Sequence, residues 1–176
     1  MEGNMEYKII KYSDINPDSL KDIFKHLSLN CLVTESQVKE EIKGFLPAYP
    51  EIIEWYQKVI KEIEKKPSSR DMFISLSNEN NSFVISGLMI LKKTENEKKI
   101  CTLRVKDNYQ KKGIGSILMG MAFDFLETKK PLITVPEESV DNFSKIFNKF
   151  DFQEVEKISD LYRKNKIEYI YNGHFK

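Results

Sequence analysis

The stretch Ile100-Cys101-Thr102-Leu103-Arg104-Val105, continued by Lys106-Asp107-Asn108-Tyr109-Gln110-Lys111-Lys112-Gly113-Ile114-Gly115-Ser116, decides how the rest of this chain is read. A short β-type run ends in a polar loop, two glycines stand one residue apart, and a strongly periodic helical pattern begins at once. Such a junction suits an anion. The first N–H groups of a helix have no partner inside it, and the helix dipole leaves roughly half a positive charge there, so a phosphate satisfies both. Glycine at 113 and 115 lets the backbone approach without a Cβ in the way, and Lys111 and Lys112 add charge beside it. A solvated face is the competing reading of those two lysines, because the chain is lysine-rich throughout.

Downstream, Ile114, Ile117, Leu118, Met121, Ala122, Phe125 and Leu126 recur at steps of three and four, which predicts a helix with that stripe on a sheet. Thr128-Lys129-Lys130-Pro131 stops it, and Leu132-Ile133-Thr134-Val135 is short and apolar like a buried parallel strand. Strand, helix and strand make a right-handed βαβ crossover. Pro136-Glu137-Glu138-Ser139 then turns into a helix carrying Val140, Phe143, Ile146, Phe147 and Phe150. Residues 152–158 and 167–171 read as a closing pair of strands.

Upstream, Glu6 to Tyr12 predicts a first strand, closed by Ser13-Asp14 and Asn16-Pro17. From Asp18, Leu20, Ile23, Phe24 and Leu27 have helical spacing, with His26 beside the stripe as a surface residue. Thr34-x-x-Gln37 resembles a capping box opening a helix with Val38, Ile42, Phe45 and Leu46 on one side. Ile52, Tyr56, Val59, Ile60 and Ile63 predict the next helix, stopped at Lys65-Lys66-Pro67. Residues 18–66 are thus expected to be almost wholly helical. Met72 to Ser77 alternates, Asn78 to Asn81 is a turn cluster, and Phe83 to Leu91 is a nearly continuous apolar run. Together with the strand at Ile100 these imply three antiparallel neighbours. Gly87, in mid-strand, predicts a bulge or a close approach.

With 176 residues, 40% hydrophobic and 31% charged at a net charge of +1, the chain reads as one soluble domain spanning 1–176. The balanced charge argues against a general polyanion binder, so nucleic acid is not the expected partner. The amino terminus reads as no signal peptide, and no apolar run approaches a membrane span, so a cytoplasmic location without a membrane partner is expected. Cys31 and Cys101 have no C-x-x-C spacing, and His26 and His174 stand far from both, so neither a metal nor a disulfide framework is expected.

The loop can be weighed against known phosphate-binding strings. A P-loop requires G-x-x-x-x-G-K-[ST], which does not occur, and a dinucleotide fingerprint requires a third glycine where Leu118 stands. Gln110-Lys111-Lys112-Gly113-Ile114-Gly115 resembles instead the Q/R-x-x-G-x-G/A signature of the GNAT acetyltransferases. The order β, α, α, β, β, β, α, β, α, β, β across the chain is also similar to that family. The resemblance implies an α/β (α+β) fold: a mixed, mostly antiparallel sheet with a central βαβ unit and helices on both faces. It further implies acetyl-CoA as cosubstrate, with pantetheine between splayed strands 100–105 and 132–135, its amides paired near Leu103 and Val105. The pyrophosphate would rest on the loop formed by Gln110, Lys111, Lys112, Gly113, Ile114, Gly115 and Ser116.

Phe143 to Phe152 resembles the family's helix ending in F-Y-x-K-x-G-F, but Ile146 stands for the Phe, Phe147 for the Tyr and Asp151 for the Gly. That Tyr is the family's usual general acid, so its role has no obvious owner here. Asp151 can still take a left-handed helix-terminal position. Glu137 and Glu138, following the fifth strand, are the carboxylates that can be placed nearest the pocket, as candidates for a general base or as a solvated turn. Tyr162, with Arg163, lies where the family often faces its acceptor and is the candidate acid. Cys101, with no histidine nearby in sequence, reads as a structural thiol. Residues 18–66 would cover one sheet face and wall the acceptor site.

The expected activity is acetyl transfer from acetyl-CoA to a primary amine by direct attack. Two other readings stay open: an acyl-CoA-binding module without catalysis, which Phe147 favours, and a toxin or regulator that grips a macromolecule through residues 34–66. Small amines, protein N-termini, lysines and aminoacyl-tRNA all stay open as acceptors, and so does a homodimer.

Overall fold

A computed structural model describes residues 7–14, 35–80 and 82–176. The helical pattern expected from Asp18, with His26, together with Cys31 and Thr34, lies outside the described residues. The elements are β1 (Tyr7–Lys11), a 3-10 turn (Tyr12–Asp14), α1 (Glu35–Lys43), α2 (Ile52–Lys65), β2 (Arg70–Glu79), β3 (Ser82–Lys93) and β4 (Lys98–Val105). After β4 come a 3-10 turn (Asp107–Tyr109), α3 (Ile114–Leu126), β5 (Leu132–Pro136), a 3-10 turn (Glu137–Ser139), α4 (Val140–Lys149), β6 (Glu154–Ser159) and β7 (Ile167–Tyr171).

The seven strands form one sheet in the order β1-β2-β3-β4-β5-β7-β6. Every neighbouring pair is antiparallel except β4 and β5, which run parallel because α3 connects them. Strand alternation sorts the core into two clusters. Met72, Ile74 and Leu76 pack with Val38, Ile42, Tyr56, Val59 and Ile63 of α1 and α2. Phe73, on the other face, packs with Leu118, Met119 and Ala122 of α3 and Phe147 of α4. The apolar stripe read for α2 is buried at all five positions.

Bulges interrupt two of the central strands. In β3 the register passes from Gly87 opposite Ser75 to Ile85 opposite Leu76, so Ser86 is the bulged residue, one place from the glycine expected to mark it. Gly87 itself is a close approach: a Cβ there would meet the Arg104 carbonyl oxygen at 3.2 Å and Leu118 at 3.4 Å. In β4, Thr102 pairs with Ile90 and Ile100 with Leu91, which leaves Cys101 as the extra residue. Beside that bulge β4 and β5 part. Their ladder holds only Lys99 with Leu132 and Ile100 with Ile133, after which β4 continues along β3 and β5 along β7.

Two helical readings are corrected. α1 ends at Lys43, and Phe45 and Leu46 lie in following turns, with Leu46 exposed. Short-range bonds from Gly44, Phe45 and Leu46 N–H to Glu41, Ile42 and Lys43 carbonyls tighten the chain there. The Arg104 guanidinium also fills the space a Cβ at Gly44 would need. On α3 the buried face comprises Ile114, Leu118, Met119, Ala122 and Leu126, whereas Ile117 is 38% exposed. The buried face therefore keeps Ile114, Leu118, Ala122 and Leu126 of the expected stripe and takes Met119 in place of Ile117.

Leu118 is wholly buried at the contact between α3 and Gly87 of β3. Leu118→Ala is expected to lower the unfolding free energy by about 2–5 kcal/mol, and exposed Ile117→Ala by less than about 1 kcal/mol, read from urea unfolding curves.

Candidate active site in the gap between β4 and β5

The loop after β4 is held by its own side chains. Gln110 Nε2 donates to the Val105 carbonyl at 2.9 Å and to Asp107 Oδ1 at 3.2 Å. Tyr109, 6% exposed, donates its hydroxyl to Glu79 at the end of β2. Left-handed backbone at Lys111 (φ +60°) and Gly113 (φ +88°) turns the chain into α3, whose N-terminus no side chain caps. Ile117 N–H makes the first bond within the helix, to Gly113 O. Nothing lies within 4 Å of a Cβ built on Gly113, so the space above the loop is open. Gly115 is different: a Cβ there would press on Ile146 Cδ1 of α4 at 3.3 Å, so its smallness also lets α3 and α4 pack.

The cations distribute unevenly. Lys111 and Lys112 are exposed, and Lys112 lies 5.7 Å over the Tyr109 ring. Lys149, at the end of α4, donates to Ser116 Oγ at 3.0 Å and so brings a third ammonium to the α3 N-terminus. It stands at the lysine of F-Y-x-K-x-G-F, but the sequence reading gave it no role. Val105 offers less free backbone than expected, since its carbonyl already accepts from Gln110.

On the α1–α2 side of the gap a polar cluster is assembled from four parts of the chain. Ile133, Val135, Tyr169 and Tyr171 belong to the α3–α4 core, so Thr134 of β5 and Glu168 of β7 face the other way. Over them lie Tyr49, from the α1–α2 connection, and Tyr162, from the β6–β7 connection, with ring centroids 5.2 Å apart edge to face. Arg163 ties these connections together. Its Nη1 donates to Pro47 O at 3.2 Å, and its Nη2 donates to Glu138 Oε2 at 2.8 Å.

Glu168 is 2% exposed, and its Oε2 has no hydrogen-bond partner. Burial pushes its carboxyl up to about 7, against the charge of Arg163 and a hydrogen bond from Tyr49. Burial likewise raises Tyr49 above the usual phenol range and Tyr162 to about 12, so both stay protonated donors, and Thr134 bonds with each. Thr102, just past the Cys101 bulge, has a buried hydroxyl without a partner.

The two acidic candidates read from the sequence stand at the rim. The Arg163 guanidinium holds Glu138 down to about 2, a carboxylate too weak to take a proton at neutral pH. Glu137 pairs with Lys166 at 3.4 Å. Tyr162 is in the cluster, and Asp151 takes its left-handed position at φ +55°. Phe147, 3% exposed, stacks on Phe143 and Phe152 and offers no hydroxyl. Cys101 Sγ accepts from Arg70 Nη1 at 3.1 Å, yet burial pushes its thiol up. Sequence reasoning passed over Tyr49, Thr134 and Glu168. The one legible signal was an acid inside the apolar strand Ile167-Glu168-Tyr169-Ile170-Tyr171.

The family model for the acetyltransferase (GNAT) domain matches residues 31–170. No curated protein matches the chain by sequence. Among solved structures, the NatC complex bound to Gag peptide and CoA is similar at 13% identity and TM-score 0.59, over 95% of this chain and 97% of that one. The ribosomal-protein-S18-alanine N-acetyltransferase from Escherichia coli is similar at 13% identity and TM-score 0.55, over 94% and 92%. Nourseothricin acetyltransferase is similar at 12% identity and TM-score 0.52 over 58% of this chain, which spans 64% of that protein's length. At such identities these likenesses concern the fold.

Glu168 makes a signed prediction for stability. Its folded carboxyl titrates near 7 and an ordinary one near 4.5, so the folded chain keeps a proton that the unfolded chain has lost. This contribution is fully present below pH 4.5 and disappears as pH rises to about 7. Urea unfolding across that range should show the decline, and Glu168→Gln should flatten it.

Proposed function

The chain belongs to the GNAT acetyltransferases, and from that premise we propose that it transfers the acetyl group of acetyl-CoA to a primary amine, by direct attack of the amine on the thioester. The observation that carries this reading is the parting of β4 from β5 at Cys101, with the uncapped α3 N-terminus on one side and buried Glu168 on the other.

The loop from Gln110 to Ser116 would hold the pyrophosphate by its N–H groups, with Lys149 joining Lys111 and Lys112 as counter-charge. The open space at Gly113 fits such a group. Backbone of β4 near Leu103, unpaired on its β5 side, would take the pantetheine amides, and an N–H past the bulge would hold the carbonyl oxygen as it gains charge.

An amine with pKa near ~10 must lose a proton before it attacks, so the reaction needs a base more than an acid. Glu168 fits that role better than Glu137 or Glu138, because it is buried, has a free oxygen and titrates near neutrality. Tyr162 and Tyr49 stay protonated and can return a proton to the departing sulfur. A thiol titrating near ~8.5 can also leave largely as thiolate, which makes Phe147 tolerable where an acid would stand. The raised Cys101 thiol gives no ready nucleophile, so no acyl-cysteine forms. The α1–α2 connection, through Pro47 and Tyr49, and the β6–β7 connection, through Tyr162 and Arg163, wall the acceptor.

Phe147 keeps one second reading alive, an acyl-CoA-binding module without catalysis. Coenzyme binding with no thiol released in the presence of any acceptor class would select it.

Gly115→Val is expected to weaken acetyl-CoA binding by at least ~2 kcal/mol in calorimetry, with circular dichroism verifying that the variant folds. Unchanged affinity would remove the loop from the coenzyme site. In kinetics, kcat/KM should fall as pH drops below about 7, where Glu168 takes up its proton. Glu168→Gln should abolish that limb and lower kcat by about 100-fold. Cys101→Ala should keep most activity, and a trapped acetyl-enzyme in mass spectrometry would contradict direct attack.

A further inference from the structure

The polar cluster holds two buried atoms that are unsatisfied in opposite senses. Glu168 Oε2 is an acceptor without a donor, and Arg163 Nε is a donor without an acceptor. Arg163 Nη1 is held by Pro47 O and Glu138 and its Nη2 by Glu138, so Nε is its one buried nitrogen without a partner. Glu168 and Arg163 are near enough that each shifts the other's titration. Arg163 bonds Glu138, two residues past Pro136, and Pro136 is the register partner of Glu168, so both side chains stand at the same end of β5 and β7. A buried donor or acceptor left without a partner is costly, and two complementary ones in one cluster describe the ligand that would satisfy both. A plain alkylamine satisfies the carboxylate and leaves Nε unbonded. An amine whose neighbouring carbon bears a carbonyl satisfies the pair.

We infer that the acceptor is an α-aminoacyl group, its amine donating to Glu168 Oε2 while the adjacent carbonyl oxygen accepts from Arg163 Nε. This rests on the transfer reading and narrows its acceptor. A free amino-acid derivative and a peptide N-terminus share that chemistry. A lysine side-chain amine lacks the adjacent carbonyl and would leave Arg163 unsatisfied.

The test compares two acceptors of similar size, alaninamide and sec-butylamine, in thiol-release assays at one pH. Because the amines differ in basicity, the quantity read is the ratio of their kcat/KM values in the wild type divided by the same ratio in Arg163→Lys, which keeps the charge and loses the Nε donor. Acetyl-CoA affinity, measured by calorimetry on the same preparations, shows that the variant is folded. The wild type should favour alaninamide more strongly than the variant by at least about tenfold, the scale of one charge-assisted hydrogen bond. An equal preference in both, or a uniform loss for both amines in the variant, overturns the inference and leaves the transfer reading standing. Trialanine accepted as well as alaninamide assigns a peptide N-terminus, and trialanine refused assigns a free amino-acid derivative. If acetyl-CoA binds and no acceptor releases thiol, the transfer reading fails. Binding of the two amines to the acetyl-CoA complex, followed by NMR, then decides the inference, and equal or absent binding overturns it.

Discussion

The structure depends on one interrupted ladder. β4 and β5 are joined at Lys99–Leu132 and Ile100–Ile133 and nowhere beyond. The extra residue at Cys101 bends β4 out of register with β3 at the same level, which is what a bulge does to the strand carrying it. Past that point each strand keeps its outer neighbour and loses its inner one. Backbone polar groups along the two facing edges then need partners from outside the sheet, and a peptide-like ligand is the natural supply. The gap is thus a consequence of strand geometry.

Which side chains line it is settled by strand alternation and by the loops. On the α3–α4 side, Ile133, Val135, Tyr171 and Phe147 close the gap with apolar packing. On the other side Thr134 and Glu168 face a cover made by Tyr49 and Tyr162. That asymmetry sets an apolar wall against a polar chamber. Burial raises Glu168 toward neutrality, while the Arg163 contact keeps Glu138, a residue of the same type, fully ionised. Two carboxylates near one gap are therefore driven apart, one titrating near neutrality and one fixed as the anion that holds an arginine in place.

The aromatic stack around Phe147 fits the same division. Its ring lies between Phe143 and Phe152 and close to Tyr171, where a hydroxyl would have little company. The protonated phenols lie instead at Tyr49 and Tyr162, on the polar side. Arg163 draws the two loops that carry them together through Pro47.

The sequence by itself determined the periodic and the local features. The stripe of α2, the alternation of β2, the strand–loop–helix junction at 100–116, the order of elements and the left-handed turn at Asp151 were all legible, because each depends on neighbours within a few residues. Gly87 signalled its bulge to within one position for the same reason. Only the tertiary structure decided the rest. The buried face of α3 depends on how the helix is seated on the sheet and against α4, so Met119 and not Ile117 is enclosed. The pairing of Glu138 with Arg163 spans 25 residues, the contact of Arg163 with Pro47 spans 116, and Glu168 meets Tyr49 across most of the chain. Spacing along a sequence carries no record of such distances. Whether a carboxylate is buried and free, or exposed and paired, fixes its chemistry, and that is set by the packing of segments that meet only in the folded chain.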